Sequence, residues 1–216
     1  MIPETLAQTL DRLIESARAS GSTPRPVIGI AGPVASGKTT LAAAVAARHG
    51  TEVLSTDDYL PNYEGLPRLE RDEPRHADLP RLAADIAGLR TGRETNVPVW
   101  SFFENRRVDE RAMTPGDIIV VEGLFALHPT IADLLSVGVF VNGPEARRRE
   151  KFVGRSADGE RGFSVEEADS HFDEVAEPTL WKHLDLYRPQ VAMYLMHDNA
   201  GGFAEQPVAE LVAPGA

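Results

Sequence analysis

The stretch GPVASGKTT, Gly32 to Thr40, carries a glycine, four residues and then Gly-Lys-Thr, between the apolar run VIGIA and the alanine-rich LAAAVAARH. Glycines at 32 and 37 let the backbone curl until successive N–H groups converge on phosphate oxygens, and the positive end of the following helix reinforces them. The cradle comprises Gly32, Ala35, Ser36, Gly37, Lys38, Thr39 and Thr40. Lys38 is expected to reach the β- and γ-phosphates of a nucleotide, and the Thr39 hydroxyl to ligate magnesium. This predicts nucleotide binding and leaves hydrolysis, signalling, motion and transfer open.

Two further sets of carboxylates fit the same chemistry. Glu122 ends the apolar run IIVVEG, where a second magnesium-side carboxylate is expected. Asp57 and Asp58, in LSTDDYL, stand just after a short apolar run, at the carboxyl end of the expected sheet where ligands bind in open α/β folds. One of them can accept the proton of an acceptor hydroxyl while magnesium and Lys38 spread the charge on the transferring phosphoryl group. The guanine-reading order Asn-Lys-x-Asp does not occur, which argues against a GTPase switch. A basic segment with Arg147, Arg148, Arg149, Lys151, Arg155 and Arg161 stands out in a chain of formal net charge −11.

Positioning these groups requires an α/β scaffold, and the hydropathy pattern supplies one. Val27–Ala31, 118–123 and 137–142 are continuous apolar runs of the kind buried on both faces of a parallel sheet, and 53–55 is a shorter one. Helical spacing is expected over 41–48, from Asp78 as cap to about Leu89, around 130–135, over 144–155 and over 164–186 with a break at Pro178. Ile2, Leu6, Leu10, Leu13, Ile14 and Ala17 predict an N-terminal helix that ends in the linker SGSTPRP, so 1–24 is read as helix and linker. VPVWSF and 107–113 predict a small hairpin insert, 97–113, and VAMYLM a last strand. The expected fold is one α/β domain, a parallel sheet flanked by helices.

Composition narrows the classes. With 42% hydrophobic residues in 216 the chain can bury a real core, and zero cysteines exclude disulfides, thiolate catalysis and Cys-ligated zinc. The acidic balance opposes broad binding to nucleic acid or an acidic membrane and favours a small-molecule substrate. No apolar run approaches the roughly 18 residues of a membrane span, and Glu4, Asp11 and Glu15 stand where a signal peptide would be basic, so a cytoplasmic protein is expected. The N-terminal helix can pack on the core or mediate pairing into a homo-oligomer.

Taken in order, these motifs resemble the uridine kinase and phosphoribulokinase family of P-loop kinases, from about Val27 to about Val191. The resemblance implies a P-loop NTPase fold with a hairpin insert and a helical lid over 144–162. It implies ATP and Mg2+, and phosphorylation of a primary hydroxyl, in a nucleoside of the uridine or cytidine kind. LSTDDYL matches the family's strand-end segment with Asp57 as the base and Asp58 at a more variable position. RDEPRHAD is similar to the acceptor-side FDHPDAFD pattern and puts Asp72 on the carboxylate that holds ribose hydroxyls in uridine kinases. VPVWSFFENRR resembles IPVYDFxxHSR, and IIVVEGLFAL resembles VVLxEGILAF. The basic segment resembles the Arg-rich lid, with Arg148, Lys151 and Arg155 on one helical face and Arg161 beside Gly162, closing over the phosphates.

The chain departs from the family where Trp100 and Asn105 replace the Tyr and His that read the pyrimidine, and where Phe152 replaces a second consecutive Arg. Kinases for nicotinamide riboside, pantothenate, sugars or glycerate are therefore alternatives. A regulatory ATPase without a small acceptor and a nucleotide-binding module without turnover are others.

Overall fold

The computed structural model describes residues 4–19, 25–159, 162–198 and 202–213. Ile2, the linker residues 20–24 and Arg161, all named above, lie outside them.

The chain opens with α1 (Glu4–Ala19), whose Leu6, Leu10 and Ile14 recur at helical spacing and are buried. Next come β1 (Val27–Ala31), buried along its whole length, and α2 (Lys38–His49), which Gly50 ends in the left-handed conformation. β2 (Val53–Ser55) leads into a long connection with three short 3₁₀ turns, and Asp78 caps α3 (Leu79–Arg90) by accepting from the Arg81 N–H. β3 (Thr95–Ser101) and β4 (Arg106–Met113) form a separate antiparallel hairpin. β5 (Ile119–Glu122), the single turn α4 (Pro129–Ala132) and β6 (Val137–Asn142) follow. Then come α5 (Glu145–Ala157), α6 (Val165–His171), α7 (Glu177–Lys182), α8 (Leu184–Tyr187), β7 (Met193–His197) and β8 (Phe203–Gln206).

The main sheet has the order β2-β5-β1-β6-β7-β8. Its first five strands are parallel and β8 runs antiparallel to β7, so the sheet is mixed where sequence pattern predicts a parallel one. Alternation along the strands fills two cores. Ile28, Ile30, Val120, Val139 and Leu195 face α1 and α2, while Val27, Ala31, Val121 and Phe140 face α3, α4, α7 and α8. A parallel strand buried on both sides must be apolar at every position, which is why these runs were readable.

Two helical expectations change. The stretch over 130–135 yields one turn, capped by the His128 ring. The stretch over 164–186 runs on through a π turn at Phe172–Ala176 and is interrupted at His183; Pro178 does not break it, since the backbone stays helical from the π turn into α7.

Candidate active site

The loop from β1 to α2 adopts the curl its glycines permit. Gly37 stands at φ 98° as the residue before α2, and Ala35 also takes a positive φ, 56°. A Cβ on Gly32, at φ 154°, would collide with the Val141 carbonyl oxygen of β6, so only glycine lets this loop sit so close to the sheet. Ser36 is fully buried, and its Oγ has no hydrogen-bond partner among the described residues. Lys38 is 8% exposed, and its Nζ donates to the Pro33 carbonyl oxygen at 3.3 Å, folded back along the loop. Thr39 and Thr40 are exposed in the first turn of α2.

Strand register brings the carboxylates to this loop. Ser55 of β2 pairs with Glu122 of β5, and Ile30 of β1 pairs with Glu122 on the other side. Glu122 accepts from Thr39 Oγ1 at 3.3 Å and from Ser55 Oγ at 3.4 Å. Burial raises its pKa, the Lys38 ammonium opposes the rise and the Asp57 carboxylate adds to it. Gly123 follows at φ 130°, and a side chain there would strike Thr56 Oγ1 and crowd Asp57, so this glycine allows the β2 and β5 ends to meet. Thr39, Glu122 and Asp57 thus share one rim with Lys38. Oxygen donors of this kind suit a magnesium ion that keeps water and phosphate oxygens as its other ligands.

The same rim opens into a cleft of about 260 Å³. Ala35, Lys38, Thr39, Asp57, Asp72, Asn105, Glu122 and Arg155 all line it. Asp72 is 6% exposed, accepts from the Tyr63 hydroxyl at 3.1 Å and lies 3.6 Å from His171 Nε2. Asn105 takes φ 54° at the hairpin tip, and its carbonyl oxygen accepts from the Tyr63 N–H at 3.0 Å.

Two expected site residues lie elsewhere. Arg148 is 2% exposed and absent from the cleft; its guanidinium grips Glu177 through two 2.5 Å bonds and donates from Nε to the Gly143 carbonyl oxygen. The three-residue helical face contains it, but its own position on that face points into the protein, where a buried guanidinium requires a carboxylate partner. Trp100 is 6% exposed and packs edge-on against Tyr63 with ring centroids 5.0 Å apart, as a core residue beneath the cleft instead of a reader of the acceptor. Arg149, beside Arg148, pairs with Asp169 and Asp173.

Sequence reading missed Tyr63, Phe102, Phe163 and His171, which also line the cleft. His171 is 5% exposed and packs against the rings of Phe152, parallel at 6.0 Å, and Phe163, at 5.2 Å. Its Nδ1 has no hydrogen-bond partner among the described residues. His171 ends α6 three positions after buried Ala168, so helical spacing on that inner face is the signal that could have found it.

The profile of the Phosphoribulokinase / Uridine kinase family matches residues 27–176. A uridine kinase from Staphylococcus epidermidis is 31% identical over 182 residues, covering 76% of this chain and 87% of that one. A uridine kinase from Shewanella amazonensis is 30% identical over 177 residues, covering 74% and 81%. The solved D-glycerate 3-kinase from Cryptococcus neoformans var. grubii superposes with a TM-score of 0.60 at 14% identity, over 93% of this chain and 99% of that chain, and shares the fold. With its nucleotide loop, strand-end carboxylates and cleft arranged in this way, the chain belongs to the phosphoribulokinase/uridine kinase family of P-loop kinases and is a phosphotransferase acting on an alcohol group of a small metabolite.

Proposed function

We propose that the chain transfers the γ-phosphoryl group of ATP to the primary 5′-hydroxyl of a nucleoside of the uridine or cytidine kind. The observation that carries this reading is Asp72, a buried carboxylate that lines the same cleft as Asp57, with Tyr63, Phe102 and Phe163 around it. A carboxylate can accept from both hydroxyls of a vicinal diol, and aromatic walls suit a flat base above the sugar. Lys38 and Arg155 line the cleft on the side of the ATP phosphates in this reading, while Asp57 and Asp72 on the acceptor side disfavour an acceptor that is itself a carboxylate or a phosphate.

In this reading the 32–40 loop binds the ATP phosphates through its N–H groups. Lys38 swings from Pro33 to the β- and γ-phosphates, and Arg155 covers them from the lid. Asp57 accepts the proton of the attacking hydroxyl, and Asp72 with Asn105 orients the acceptor. Thr39 and Glu122 would hold magnesium, which supplies charge neutralisation on the phosphates when bound. Catalysis is then mostly positioning and electrostatics.

The test is steady-state ADP release with two variants. Lys38→Ala should lose turnover strongly, and Asp57→Asn should keep its ATP affinity while kcat falls by about 10²-fold or more, the scale of a positioned base. Unchanged kcat in either variant would remove that residue from the site.

A further inference from the structure

Asp57 and Asp58 are neighbours, but only Asp57 lines the cleft. Asp58 turns toward the hairpin instead, and its Oδ1 accepts from the backbone N–H of Trp100 at 3.0 Å. Trp100 marks the point where the β3–β4 register shifts, between Val99 and Trp100. The extra residue is Val108 of β4, opposite Trp100, and Asp58 takes up the Trp100 N–H at this break in the ladder. Burial raises the Asp58 carboxyl pKa, and the Trp100 N–H partly offsets the rise.

Other contacts fasten the same junction. Arg107 Nη2 donates to the Tyr59 carbonyl oxygen at 3.0 Å, the Tyr63 N–H donates to Asn105, and the Trp100 ring packs on Tyr63. The hairpin belongs to a sheet of its own, so its placement depends on ties like these. It delivers Phe102 and Asn105 to the cleft.

We infer that Asp58 is a positioning residue: by holding Trp100 where the β3–β4 ladder breaks, it fixes the hairpin wall of the acceptor site relative to Asp57, its neighbour in the chain. The inference rests on the proposed reading of the cleft as the acceptor site. Asp58 does not touch the reacting atoms; it sets how far Asn105 stands from the base.

The experiment compares Asp58→Ala and Asp58→Asn in the full chain, with acceptor and ATP varied separately and Trp100 amide hydrogen exchange followed in parallel. Asp58→Ala should lower kcat/KM for the acceptor by about 10²-fold, the cost of roughly 1 Å of misplacement, and leave the KM for ATP unchanged. Its Trp100 amide should exchange faster than in the parent. Asp58→Asn, which retains a carbonyl oxygen at the same place, should restore both to within a few-fold of the parent. An alanine variant with parental kinetics and exchange would overturn the inference. So would an asparagine variant that loses kcat with its Trp100 amide still protected, since Asp58 would then act chemically. If the alanine variant does not fold, Asp58→Ser replaces it with the same expectations. If the parent phosphorylates no nucleoside, the exchange data still decide whether Asp58 holds the hairpin, so failure of the acceptor assignment is told apart from failure of this one.

Discussion

At the scale of single residues, identity and spacing show what a side chain can do, and partners decide what it does. Arg148 and Arg155 share a helix and a charge, but Arg148 is locked to Glu177 in the interior while Arg155 lines the cleft. Arg148→Met should therefore lower stability by about 3–5 kcal/mol, because it leaves the Glu177 carboxylate without its guanidinium. Arg155→Met should leave the melting temperature near that of the parent and reduce kcat by about 10²-fold, as loss of one transition-state donor does. Thermal melting with steady-state kinetics separates the two, and a catalytic loss in Arg148→Met without loss of stability would reverse the assignment. The nucleotide loop was legible from residues 32–40 because its chemistry is local. Arg148 was not, since its partner comes from 29 positions along the chain. Asp57 and Asp58 look alike by residue type alone; the family resemblance singles out Asp57, and in the fold only Asp57 lines the cleft while Asp58 turns to the hairpin.

At the scale of elements, legibility followed burial. β1, β5 and β6 read as strands because both faces are covered, whereas β8 is short, half-exposed and antiparallel at the sheet edge, and its pattern was too weak to find. The connection after β2 read as a polar loop, yet it buries Tyr59, Tyr63, Asp72 and Glu73 in pairs that no periodicity announces. Glu73 ties this connection to the junction of α7 and α8, accepting from Lys182 Nζ at 2.6 Å with His183 Nε2 3.2 Å away. Burial opposes ionisation of Glu73, but the Lys182 and His183 bonds outweigh it and hold its pKa below the ordinary 4.5. A depressed carboxylate stabilises the fold above its unfolded pKa, and that contribution is lost as pH falls through the folded value. Glu73→Gln should accordingly melt lower than the parent at pH 7, with the gap closing as pH drops below 4.5. Equal melting temperatures at pH 7 would show that this tie contributes nothing.

At the scale of the whole molecule, the family match leaves out the N-terminal helix, which nonetheless belongs to the core. α1 buries Leu6, Leu10 and Ile14 against the face covered by α2, and Asp11 pairs with Arg48 and His49. Among the described residues no helix is long and apolar enough to cross a membrane. The sheet, the hairpin and α5 converge on one cleft that joins the 32–40 loop to Asp72, and the proposed function turns on what that cleft accepts. The most direct test is kcat/KM from coupled ADP release with uridine, cytidine, 2′-deoxyuridine, D-glycerate and fructose, for the parent and for Asp72→Ala. The parent should prefer the ribosides and disfavour 2′-deoxyuridine by about tenfold or more, because one missing hydroxyl removes a hydrogen bond to a buried carboxylate, worth about 1.5–3 kcal/mol, and Asp72→Ala should erase that difference. Equal rates for ribo and deoxy acceptors, or turnover confined to glycerate or fructose, would contradict the assignment of the cleft to a nucleoside.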